Sequence, residues 1–332
     1  EVEQAEKKSL PQTVIKLTGE IYQKGEMEKN SPQMLKAYMW RMKYRDMLTP
    51  DSLYTGLQEL KQWAKQADKP MDRAILHSLI AGMYADYAAN NQWQLRQRTE
   101  IAGEAPSADM REWTANMFVE KVRTNVKEAM ADSVLLLNTS SRTYIPFVEL
   151  GETSEYYHHD MYHLLASRSI EALQRIQGLD RTTPIEAYSE ETSSEKESLV
   201  KQDIERIYDQ MLTSYKAKGD KEGCLLTSLN YLNWKHGTSK SFREPFRVKK
   251  GGTYMTFDPY ETGLDALKTE YKSLDLCAEV YLAQANNAIG KEQETVALQL
   301  CDEAIRLYPG YRRINALKNL REDILAPSLN VT

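Results

Sequence analysis

Between residues 74 and 88 the chain carries two adjoining stripes at helical spacing, and few folds accommodate both. Ile75, Leu76, Leu79, Ile80, Met83, Tyr84 and Tyr87 recur at intervals of three and four residues, the period of one face of an α-helix. Ala74, Ser78, Ala81, Ala85 and Ala88 run beside them as a ridge of small residues. A small ridge lets another helix approach closely, as stacked antiparallel helix pairs require.

The same period dominates the rest of the chain. Val14, Leu17, Thr18, Ile21 and Tyr22 share a face after Pro11. Asn30-Ser31-Pro32 stops that helix and starts another, with Leu35, Tyr38 and Met42 on one side and Trp40, Tyr44 and Met47 on a second. A helix apolar on two sides is sandwiched between neighbours. Thr49-Pro50-Asp51 and Asp68-Lys69-Pro70 bracket a third helix, which runs to about Ala67. Further helices are predicted over 110–131 and 154–176, along Ile204 to Tyr215, from Asp220 through Leu232, and over 262–288, 293–307 and 310–324. In the last of these units Tyr281, Ala285, Ala297, Ala304 and Pro309 fall at tetratricopeptide spacing, with Ala288 and Cys301 where aromatics are expected.

The fold class expected is all-α: antiparallel helix pairs stacked as an α-α superhelix, tetratricopeptide-like. Residues 1–177 form an N-terminal helical repeat subdomain. Residues 178–197, rich in Ser, Thr and Glu, form a linker. Residues 198–326 form a C-terminal helical subdomain with a loop insertion at 237–260. Residues 327–332 read as the first strand of a following β domain, because Leu329 and Val331 alternate with polar residues after Pro327. The apolar fraction of 41% suits a surface-rich array, and 30 aromatic residues exclude a disordered chain. A net charge of −5 gives no reason to expect nucleic acid as a partner. The chain opens at Glu1 without an initiator Met, which reads as a piece of a longer protein.

Chemistry-bearing patterns are few. His159 and His163, four apart, would share a helical face as in zinc-binding helices, with Glu155 as a further donor. No general-base Glu follows His159; these two residues are the candidate metal ligands beside the favoured reading of a polar helix start with surface histidines, and no metal is expected. The expected cofactor is none. Cys224, Cys277 and Cys301 lie inside helical patterns and read as buried free thiols. The insertion interleaves Lys235, His236, Lys240, Arg243, Arg247, Lys249 and Lys250 with Phe242, Phe246 and Tyr254. Arg243, Phe246, Arg247, Lys249, Lys250 and Tyr254 are the candidate partner-binding residues, for basic and aromatic side chains together can bind single-stranded nucleic acid or an acidic partner; the other reading is a solvated loop whose aromatic side chains pin it to the helices. No nucleophile elbow, dinucleotide fingerprint or phosphate loop occurs, so no catalytic residue is expected.

Several segments resemble one family. Ser9-Leu10-Pro11-Gln12-Thr13, Ile21-Tyr22 and Lys36 to Tyr44 (KAYMWRMKY) are similar to the N-terminal helical region of bacterial alpha-2-macroglobulin-like proteins, especially those of the Bacteroidetes. Ala74 to Leu79, Asn91-Gln92-Trp93, Arg98-Thr99, Trp113, Asp160 to Arg168 and Ala304 to Pro309 continue the resemblance. It implies a non-catalytic scaffold at the start of a proteinase-trapping protein. The implied partners are a protein or the downstream β domains of the same chain. The implied location is the periplasm or cell surface, with any membrane attachment through a lipid anchor outside this segment. The alternative is a free-standing peptide-binding repeat protein with a Tyr-rich concave face.

Overall fold

A computed structural model of the chain describes residues 1–49, 52–98, 107, 109–180, 198–250 and 253–326. The strand expected at 327–332 and most of the expected linker, residues 181–197, lie outside them. The fold is all-α, with sixteen helices and one two-stranded hairpin among the described residues. The chain divides into two compact units, Glu1–Ile207 and Tyr208–Thr332. The division falls inside a helix rather than at 178–197.

The first unit contains α1 (Val2–Lys7), α2 (Pro11–Met27), α3 (Ser31–Leu48), α4 (Ser52–Gln66), α5 (Pro70–Asn90), α6 (Gln92–Leu95), α7 (Ala115–Ala129), α8 (Ser133–Leu137) and α9 (Met161–Ile176). It also takes in the start of α10 (Leu199–Lys218). Proline stands in the first turn of α2, α3 and α5, where its missing N–H costs nothing. Helix α2 packs on α3, and α5 packs on both α7 and α9. The whole small ridge of α5 is buried, which is what two close neighbours demand. Asp72 is buried with it and accepts hydrogen bonds from Ser31 Oγ at 2.6 Å and Tyr144 OH at 2.7 Å. A buried carboxylate is tolerable only with such donors.

Asp180 shows where the start of α10 belongs. Its Oδ2 accepts from Ser198 Oγ at 2.5 Å and from Val200 N at 2.9 Å, capping the helix from the far side of 181–197. Arg123 of α7 donates to Asp203 at 2.6 Å. Val200, Ile204 and Ile207 are buried. These contacts assign the first turns of α10 to the first unit.

The second unit continues α10 and adds α11 (Lys221–Thr238), α12 (Lys240–Arg243), β1 (Phe246–Lys250), β2 (Thr253–Phe257), α13 (Pro259–Glu270), α14 (Ala278–Gly290), α15 (Glu294–Leu307) and α16 (Ile314–Leu325). Gly219 takes a left-handed φ of +69°, closing α10. Asp220 then caps α11 by accepting from Gly223 N at 2.8 Å. Helix α11 packs on α13, α14 on α15 and α15 on α16. All three cysteines are free and buried here.

Four expected boundaries move, each for a local reason. The helix expected over 110–131 starts at Ala115, because Trp113 is extended and turns its indole N–H onto Ser107 O. The helix expected over 154–176 starts at Met161, where Asp160 supplies the cap. The helix expected over 262–288 is two helices separated by a turn whose Lys272 carbonyl accepts from Tyr308 OH. The insertion at 237–260 is no loop. Helix α11 runs into it, α12 and the hairpin fill it, and α13 begins at Pro259.

Candidate functional site

The histidine cluster is a structural device. Because α9 begins at Met161, His159 lies in front of the helix and not on its face. Its side chain is exposed, whereas that of His163 is fully buried. The two do not come together as a ligand pair. Asp160 caps α9 by accepting His163 N at 2.9 Å, and its two oxygens lie 2.8 and 2.9 Å from the same residue's Nδ1. That carboxylate makes Nδ1 the protonated nitrogen. His158 holds a left-handed φ of +59°, packs its ring on Tyr157 and places Nε2 2.6 Å from Ser167 Oγ. Burial depresses its pKa to about 4, with His163 adding to the effect. Ser141 N donates to His159 O, and Met161 N to Thr139 O. The cluster therefore pins the start of α9 to residues 139–141. Among the described residues no three His, Cys, Asp or Glu side chains converge as a metal site.

The basic and aromatic residues of 235–257 are brought together. In sequence, Val248 and Lys249 follow Phe246 and Arg247 in alternation, and two glycines precede Thr253, which is a hairpin signal. The strands are antiparallel, pairing Phe246 with Phe257, Arg247 with Thr256, Val248 with Met255, Lys249 with Tyr254 and Lys250 with Thr253. Paired residues point to the same side. One face thus presents Phe246, Val248 and Phe257, and the other Arg247, Lys249, Tyr254 and Thr256. The Phe246 and Phe257 rings meet at 5.1 Å, and Lys249 Nζ lies 5.8 Å from the Tyr254 ring centre.

Neither face is covered. Phe246, Val248 and Phe257 are 46%, 42% and 39% exposed, and no described side chain of the two strands is buried. Tyr254 is the one exposed tyrosine among the described residues, at 65%. The other described tyrosines are buried or half-buried, which leaves little of the expected Tyr-rich surface. A two-stranded ribbon with no third layer is marginal by itself in water.

The hairpin's root, in contrast, is firmly built. His236 stacks on Tyr260 at 4.0 Å, and Tyr260 OH donates to Asn233 at 2.7 Å. Burial lowers the His236 pKa. Asp258 accepts from Tyr260 N and Glu261 N and binds Lys291 Nζ at 2.7 Å. Burial alone would raise its pKa, but Lys291 and the two N–H groups hold it below the usual carboxylate range. Lys235 Nζ sits 3.9 Å over Tyr231 and 5.5 Å from the Phe242 ring centre. Arg243 reaches the Gly237 carbonyl at 3.5 Å. Over 235–257 six basic residues face one acidic residue, Glu244, for a net charge of +5. The whole chain is −5, so the remainder carries −10.

No described helix is long and apolar enough to cross a membrane. Comparison of the chain with protein-family models, with curated proteins and with solved structures gives no match.

Proposed function

We propose that this chain is a non-catalytic helical scaffold that docks a protein through the hairpin β1–β2. The observation that carries the reading is a basic, aromatic ribbon, uncovered on both faces, held on a packed and hydrogen-bonded root in an otherwise acidic chain. Apolar side chains left in water and rimmed by charge mark protein-binding surfaces. The packed pairs α14–α15 and α15–α16 and the tetratricopeptide spacing in the sequence support a superhelical stack as the scaffold's form. The resemblance of the packing motifs to alpha-2-macroglobulin-like N-terminal regions supports a role in positioning β domains of the same exported protein.

A photo-crosslinking residue placed at Tyr254 in the cell of origin tests the reading. A protein adduct is expected, either to a separate protein or to other parts of the same polypeptide. The same probe at the exposed Trp93 serves as a comparison. No adduct at 254, or equal adducts at both positions, would sink the docking role.

A further inference from the structure

We infer that the hairpin is completed by a third strand: a partner's extended segment, alternating acidic and apolar residues, pairs with the free edge of β1. This rests on the docking role proposed above and specifies its chemistry.

Three features of the ribbon lead to this occupant. The sheet has two strands and no more among the described residues, so the outer edge of β1 is unpaired. Alternate residues of an antiparallel strand turn their N–H and C=O to the outside, which makes such an edge a template for another strand. The side chains then dictate what the added strand carries. Residues opposite one another across a ladder share a face. A strand beside β1 would set one class of side chain against Arg247 and Lys249 and the other against Phe246 and Val248. The first pair calls for Asp or Glu. The second calls for apolar side chains, which would also cover the ring pair Phe246–Phe257.

Charge complementarity fixes the sign. The ribbon and its flanks carry +5, and Arg247 and Lys249 are exposed. Neither has a carboxylate partner among the described ion pairs. The hairpin of a second copy would bring the same positive charge to this edge and is disfavoured. An anionic membrane would satisfy the charges and the aromatic side chains but would leave the edge N–H and C=O groups unpaired, which is costly in an apolar layer.

The test uses the full chain and a labelled peptide of about eight residues alternating Glu and Val, long enough to span β1, with fluorescence anisotropy at low salt. Binding is expected. The double charge reversal R247E/K249E should weaken it about tenfold, and a peptide alternating Lys and Val should then bind the reversed protein. Recovery by the matched peptide shows that the altered hairpin still folds. N-methylation of the peptide at every second residue should abolish binding in one register and spare it in the other. The inference is overturned by no binding, by equal binding of a peptide with Glu and Val segregated into two blocks, or by indifference to N-methylation in both registers. Capture of the chain by phosphatidylglycerol vesicles that the alternating peptide fails to displace would overturn it in favour of a membrane. Cross-linking at Tyr254 together with any of these failures would leave the docking role standing and remove strand addition alone.

Discussion

Two glycines of α11 should respond to alanine with opposite signs. A Cβ built on Gly223 would lie 2.4 Å from Tyr215 Cδ1 and Cε1 and 2.8 Å from Cζ. Carbon atoms in contact prefer about 3.5–4.0 Å, so the shortfall exceeds 1 Å on two ring atoms. The Tyr215 ring is 1% exposed and has nowhere to swing. Helices α10 and α11 must separate, or the ring must leave its rotamer, and overpacking of this kind costs about 1–3 kcal/mol. We place Gly223→Ala at the upper end of that range. The gain in helix propensity, at most about 1 kcal/mol, leaves a net loss of about 2 kcal/mol. Gly237, in the same helix, has nothing within 4 Å of the added carbon. There propensity acts alone, and Gly237→Ala should stabilise by about 0.5 kcal/mol. The three cysteines, all buried in the second unit, give a local assay: the urea dependence of thiol labelling reports opening of that unit without interference from the first. The midpoint should fall for Gly223→Ala and rise slightly for Gly237→Ala, with the slope unchanged. A Gly223→Ala protein as stable as the parent would refute the argument, because it would mean that the approach of Tyr215 to α11 does not depend on the missing side chain.

Two further outcomes concern the start of α9. Asp160→Ala removes a cap and strands the buried His163 donor, for a loss of about 2–4 kcal/mol in urea unfolding. Asp160→Asn retains the cap and should cost less than half as much, and the reverse order would contradict the role assigned to Asp160. His158 stays neutral in the folded chain down to about pH 4, whereas unfolded it titrates near its ordinary 6.5. Between those values the unfolded state binds the extra proton, so stability rises with pH across the window. It falls as the pH drops, by on the order of 3 kcal/mol at pH 4. His158→Asn, which keeps the left-handed backbone accessible, should flatten that part of the stability profile, and an unaltered slope would exclude burial of His158 as its cause.

The sequence spoke most clearly where one local rule governed. Pro11, Pro32 and Pro70 start helices because proline suits only the first turn, and the Ala/Ser ridge of α5 is buried because its two faces carry different sizes of side chain. It misled where tertiary contacts override periodicity. Apolar spacing runs on through 271–277, yet Tyr308 takes the Lys272 carbonyl and the helix breaks. His159 and His163 have helical spacing, but Asp160 between them is a better cap than an interior residue, so the helix starts after His159. The hairpin was legible and easily overlooked. Its alternation and its two glycines are strand signals, but the density of Gly and Pro over 237–260 equally suits a loop. What no pattern could reveal is that both faces of the hairpin stay exposed, since that depends on which helices fail to reach it.

The clasp between Asp180 and Ser198 has an evolutionary consequence. It holds the residues that flank 181–197 within hydrogen-bond reach of each other. The number of residues between Asp180 and Ser198 is then free to drift, because each doubling of the length of chain joining two fixed points costs only about 0.6 kcal/mol. A lineage could lengthen this segment, lose most of it, or place a foreign domain or new chain termini there without disturbing the register of α9 or α10. Among homologous chains of this architecture, residues 181–197 are where variation in length should accumulate, while the aspartate and the hydroxyl that close the circuit persist.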